Sequence, residues 1–291
     1  MVKDLHVCSA FLRVGFTLPL IQSFTNRVPD SITNRCLELN TQWEQLTWGS
    51  VSCSAVGLVD DRFASCATVE FWMQSGRPVV EVVRLGLVSY QEALRLQHFY
   101  VNRHRSGPAH ALLLCQHLPV YTTGIRNKPY PASLLNQLSL LGAEVHRTNR
   151  GGLITFHGPG QLVCYPVLNL SSFKKSVRWY VCELEKTIIS VCNRFGIEAV
   201  TSPDTGVWVG DNKICAIGIH CGRYVTSHGL ALNCNTDLLW FSHIVPCGIE
   251  GKGVTSLSTE LQRDVSVEET IPHLLDAFAD RFNCQLTDKD N

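Results

Sequence analysis

The run GVWVGDNKICAIGIHCGRYVTSHGLALNCN, residues 206–235, constrains the fold more than any other part of the chain. Three strand-like segments are separated only by DN and GR, and loops that short join neighbouring strands antiparallel. A sheet of this kind is the platform that the remaining segments must cover. SVRWYVCELEKTIISVCNRFG places Val177, Val181, Leu184, Ile188, Val191 and Phe195 at helical spacing and stops at Gly196. Ser89 before Glu92, and Ser266 before Glu269, have capping-box spacing and open two further amphipathic helices, the first running to about Gly107. PASLLNQLSLLG reads as a short helix ended by Gly142. Strands are expected at EVVRLGLV, at ALLLCQHLPVY as one buried strand, and at AEVHRT. The sum is an α+β domain over residues 81–287, a mixed, largely antiparallel sheet flanked by helices.

Residues 1–80 read as an extension. SVSCSAVGLVDD within it is a strand or nothing regular, and residues 5–29 hold two arginines and no acid. That composition fits a mitochondrial presequence better than a secretory signal broken by Arg13; an extension with no address is the third reading. Lys plus Arg and Asp plus Glu each number 25, so there is no basic footprint for nucleic acid. No apolar run approaches the ~20 residues that span a bilayer. The 13 cysteines are odd in number and several sit in apolar runs, which is the pattern of reduced, buried thiols. With no CxxC or HExxH spacing among them and the 11 histidines, no metal site is expected.

Three stretches carry chemistry. RGGLITFHGPGQ, residues 150–161, surrounds LITFH with glycine bends. Glycine backbone approaches a ligand closely, so the polar trio Arg150, Thr155 and His157 suits a loop around a small molecule's polar head; a hairpin with glycine corners is the plainer reading. Lys213 follows a tight turn, where a lysine is ordinarily solvated. Here strict alternation gives one face Cys215, Ile217 and Ile219 and the other Ile214, Ala216 and Gly218. Desolvation beside such surface favours the neutral, basic amine. Cys247, between Pro246 and Gly248, lies in a turn, and a nucleophilic thiol there needs a nearby cation or base and backbone donors for an oxyanion.

Taken together, RGGLITFHGPGQ, NKICAIGIHCGRYVTSHGLALN and IVPCGI followed by GVTSL resemble the lipoyl(octanoyl) transferase family, and TGVWVGDNKICAIG with HGLALNCNTDL is similar to its animal mitochondrial branch. The similarity runs from about Val82 to about Cys284. It implies the catalytic-domain fold of biotin and lipoate ligases, and transfer of an octanoyl group from octanoyl-acyl carrier protein to a lysine of lipoyl domains. The acceptors implied are 2-oxoacid dehydrogenase subunits and the glycine-cleavage H protein, in the mitochondrial matrix, with no cofactor and no ATP. By the same resemblance Cys247 is the acyl-thioester nucleophile and Lys213 lowers its pKa, by charge if it stays cationic or by taking the proton itself if neutral. Three stretches bind the acyl group: Arg150, Gly151, Gly152, Leu153, Ile154, Thr155, Phe156 and His157; Ala216, Ile217 and Gly218; Gly229, Leu230 and Ala231. His157 and His228 orient the carbonyl, shuttle protons or serve as structural hydrogen-bonding partners. Three rivals remain: an ATP-dependent lipoate or biotin ligase, a noncatalytic fatty-acyl binder, and a cysteine hydrolase, which lacks an obvious orienting acid near either histidine.

Overall fold

Local signals place most elements. The structure, a computed structural model, describes residues 76–126, 130–245 and 251–288, all within the unit Met73–Asn291. The readings of residues 5–29, of SVSCSAVGLVDD and of Cys247 lie outside the described residues.

Strand β1 (Val79–Val88) leads into α1 (Tyr90–Arg103), whose first turn is closed by the Glu92 N–H donating to the Ser89 hydroxyl at 3.2 Å. This helix ends before Gly107. Strands β2 (Ala111–His117) and β3 (Val120–Thr123) divide the run expected as one strand. Pro119 has no N–H for a ladder, and the two halves enter different sheets. Next come α2 (Ala132–Leu140), β4 (Glu144–Arg147), β5 (Thr155–His157) and β6 (Gln161–Val167). The long helix α3 (Val177–Arg194) is capped by Ser176 and precedes β7 (Val200–Thr201). The meander read from residues 206–235 is present as β8 (Val207–Val209), β9 (Asn212–Gly222) and β10 (Val225–Asn233), antiparallel throughout. Arg223 and Tyr224 both have positive φ, the two-residue geometry whose twist matches paired strands. The chain continues through β11 (Gly253–Val254), α4 (Leu257–Leu261) and α5 (Val267–Phe282) to an unanticipated strand, β12 (Gln285–Asp288).

The large sheet runs β12-β1-β2-β6-β10-β9-β8-β7, with β11 added to β9. Its β12, β1 and β2 are parallel, the ladders from β2 to β7 antiparallel, and β11 parallel to β9. A small sheet, β4-β3-β5, stands beside it. One core cluster joins α3 and α5 to the large sheet through Leu184, Ile188, Leu232 and Phe278; a second joins α1 to it through Ala93, Tyr100, Val163 and Tyr165. The small sheet has its own cluster, where Phe156 stacks on Trp240 with centroids 4.9 Å apart.

Six of the eight described cysteines, Cys115, Cys164, Cys192, Cys215, Cys234 and Cys284, are free and buried. Burial pushes their thiols up, to about 12 for Cys192 and Cys234 and about 11 for Cys284. Among the described residues no helix is long and apolar enough to cross a membrane.

Candidate active site

A cavity opens between β5, the Arg150–Gly152 loop, the N-terminus of α1 and the β6, β9 and β10 strands. Close backbone approach creates its wall: a Cβ at Gly229 would lie 2.1 Å from the Cys164 carbonyl oxygen, so only glycine lets β10 pass β6 there. Val163, Ala216, Ile217, Leu230 and Ala231 make the lining largely apolar. A second, smaller cavity shares Thr155, Ala216 and Ala231 with the first and extends it to Lys213, Gln161 and Asn233. Their walls are continuous through these shared residues, and this lining, the channel hereafter, reaches from Lys213 in the smaller cavity to Tyr90 and His228 in the larger.

Lys213 reaches this channel because β9 is irregular. Strict alternation sets it on the face of Cys215 and Ile217. The β8 ladder instead pairs Trp208 with Lys213 and Val207 with Cys215, leaving Ile214 as an extra residue. A bulge of this kind re-aims the side chains beyond it, so Lys213 lines the channel with Ala216 while Ile214 and Cys215 both enter the core. Lys213 is 6% exposed; its Nζ donates to the Thr205 carbonyl at 3.1 Å and lies 4.7 Å from the Trp208 ring centroid. The carbonyl oxygen and the indole face are both electron-rich surfaces toward which the amine's N–H groups point. Residues 253–255 are tied to the same place, since Val254 pairs with Lys213 and the Thr255 N–H donates to the Lys213 carbonyl at 3.0 Å.

The polar lining is engaged within the protein. Arg150 is buried, donating to the carbonyls of Thr122, Gly151 and Leu153 at 2.6, 2.9 and 2.9 Å and to the Thr122 hydroxyl. It holds the glycine loop in shape. Gln161 gives its Nε2 to Asn233 and the Phe156 carbonyl, so its Oε1 accepts Nδ1–H of His157 at 2.7 Å. Nε2 of His157 then accepts from the Thr122 hydroxyl. Burial, with the positive charge of Arg150 among the smaller causes, lowers His157 to about 3 and His228 to about 4, so both are neutral at pH 7. His228 has φ of 54 and is held by Gln97, whose Oε1 accepts its N–H at 2.7 Å, and by Asn149, whose Oδ1 accepts Nε2–H at 2.7 Å.

Of the residues singled out in the sequence, Arg150, Gly152, Thr155, His157, Ala216, Ile217, Gly218, His228, Gly229, Leu230 and Ala231 line the channel, and Lys213 ends it. Gly151 and Leu153 act through backbone: the Gly151 N–H donates to the Ile219 carbonyl and Leu153 accepts from Arg150. Ile154 and Phe156 belong to the core behind the small sheet. Tyr90, Val163, Tyr165, Gln161 and Asn233 also line the channel and were not foreseen. Period-two reading of QLVCYPV sets Gln161, Val163 and Tyr165 on one face; Tyr90 leaves no signal beyond opening a helix.

Comparison with known proteins adds three findings. Residues 89–279 match the family described as the lipoyl protein ligase A/B catalytic domain. A Danio rerio protein named mitochondrial octanoyl-(acyl-carrier-protein):protein N-octanoyltransferase is 65% identical, over 74% of this chain and 97% of its own. Its Homo sapiens namesake is 50% identical over 74% and 98%, and an octanoyltransferase of Thermoanaerobacter 42% over 72% and 92%. Among solved structures, lipoate-protein ligase A bound with ATP superposes with a TM-score of 0.57 at 14% identity, covering 73% of this chain and 88% of that one. A bi-partite lipoate protein ligase from Thermoplasma acidophilum gives 0.58 at 16%, over 74% and 87%. The expected α+β fold of lipoate ligases is thereby established.

Proposed function

The chain belongs to the lipoyl protein ligase A/B catalytic-domain family, and we propose that it transfers an octanoyl group from octanoyl-acyl carrier protein to a lysine of lipoyl domains, in the mitochondrial matrix. One observation carries this reading: an apolar channel ending on buried Lys213, in a chain whose relatives at 65% and 42% identity are named octanoyltransferases. Residues 81–287 form the catalytic domain, and residues 1–80 carry the presequence.

The nucleophile is Cys247. Cys247 gives its proton to solvent, its thiolate attacks the carrier's thioester carbonyl, the carbon–sulfur bond to the carrier breaks, and the carrier leaves as a thiolate that takes a proton back from solvent. The octanoyl chain then lies along the channel from Lys213 toward Tyr90. Burying about seven methylene or methyl groups contributes roughly 5 to 6 kcal/mol before ordering costs. Attack by the target lysine's amine forms the amide and releases the Cys247 thiol. One thioester replaces another and an amide follows downhill, so no ATP is consumed. Lys213 serves as a fixed positive charge favouring the thiolate. The neutral histidines shape the wall.

Mass spectrometry of the protein incubated with octanoyl carrier protein and no ATP tests this. The expected result is one octanoyl group on Cys247, lost in Cys247→Ala and formed more slowly in Lys213→Met. Acylation of a lipoyl domain only with ATP, and no adduct on Cys247, makes the chain a ligase; acyl binding that survives Cys247→Ala without any adduct makes it a carrier of fatty chains.

A further inference from the structure

Lys213 is held from behind by a single peptide group. Its Nζ donates to the Thr205 carbonyl at 3.1 Å, and the N–H of that same peptide, on Gly206, donates to Oε1 of Glu185 at 3.1 Å. Carboxylate, amide and ammonium therefore stand in series, the amide's positive end toward the carboxylate and its negative end toward the ammonium. Both termini are buried, Glu185 at 9% and Lys213 at 6% exposure. Hydrogen bonds in series polarise one another, most where water is excluded.

Two features pin the peptide in place. At Gly206 φ is +129 and a Cβ would lie 2.7 Å from the Cys215 carbonyl oxygen, so the strap presses directly on β9. Nε1 of Trp208 donates to the Asp204 carbonyl at 3.1 Å and anchors the preceding residue. Among the described residues no ion pair reaches Glu185; its neighbour on α3, Glu183, takes Lys186 at 2.9 Å and Arg281 at 3.3 Å. Among the described residues the hydrogen bond that the buried Glu185 carboxylate makes is the one to this peptide.

We propose that Glu185 is a positioning residue for Lys213, its counter-charge relayed through the Thr205–Gly206 peptide to fix Nζ at the end of the channel. The catalytic consequence rests on the role proposed above for Lys213; the relay itself does not.

A double-mutant cycle in the full chain decides it. Glu185→Gln keeps an acceptor for the Gly206 N–H and deletes only the charge; Lys213→Met deletes the other end. Each single variant should lower the melting temperature, and the double variant should lower it by less than the sum, because each single change strands a buried charge. In octanoyl transfer, Glu185→Gln should lose about tenfold in kcat or more with KM for the carrier donor unchanged, and Glu185→Asp should regain part of it. Additive melting losses, or an unchanged kcat, overturn the proposal. If the wild-type chain transfers no octanoyl group, the functional reading falls and the cycle still decides the relay.

Discussion

His157 keeps its ring neutral because burial penalises the charged form by more than the Gln161 hydrogen bond favours it. The same cause lowers His110, His117 and His228 to about 4. All four are buried, and in the unfolded chain each returns to about 6.5. Between the folded values and 6.5 the unfolded state binds more protons, so stability is complete above about pH 6.5 and is lost as pH falls toward 4. Each histidine contributes about 1.4 kcal/mol of loss by roughly pH 5.5. Urea unfolding at pH 7.5 and 5.5 should register the drop, and His110→Gln, remote from the channel, should reduce it by about one histidine's share. A flat profile would mean that these rings ionise inside the fold.

At the scale of elements, Gly229 is where β10 and β6 crowd closest. Gly229→Ala places a methyl against the Cys164 carbonyl and Pro166, and overpacking of this kind costs about 2 kcal/mol, or roughly 4 to 8 °C in melting temperature. A thermal melt checks it, and an unshifted midpoint would show that the strands part freely. Elements were legible where their causes are local. Ser89 and Ser266 cap the helices they precede because each signal acts within a few residues; the loop expected at Gly222–Arg223 turns one residue later, at Arg223–Tyr224, because Gly222 pairs with Val225 and stays in the ladder. The bulge at Ile214 was not legible: strict period two is a rule for an unbroken ladder, and the break is set by how β8 pairs with β9. Val177, counted in the apolar stripe of α3, is 40% exposed because the helix begins beyond the edge of the core it covers. For the site, the glycine stretches announced themselves, whereas Tyr90 and Tyr165 come from distant elements that meet only when the sheets assemble.

At the largest scale, the described unit depends on pairings no short window reveals. β1 lies between β2 and β12, parallel to both, so the first and last described strands are neighbours and β12 is the edge strand on that side. A chain starting at Met73 should melt in one cooperative step at the midpoint of the full chain and retain octanoyl transfer; a broad, early transition would place part of the catalytic fold among residues 1–72. The six buried thiols have a consequence for watching that transition. Reagents that capture thiolate find almost none on them at neutral pH, so each becomes reactive only when its own surroundings come apart. Brief pulses of an alkylating mass tag during warming therefore read, cysteine by cysteine, the sequence in which the interior loosens, with no dye or inserted probe.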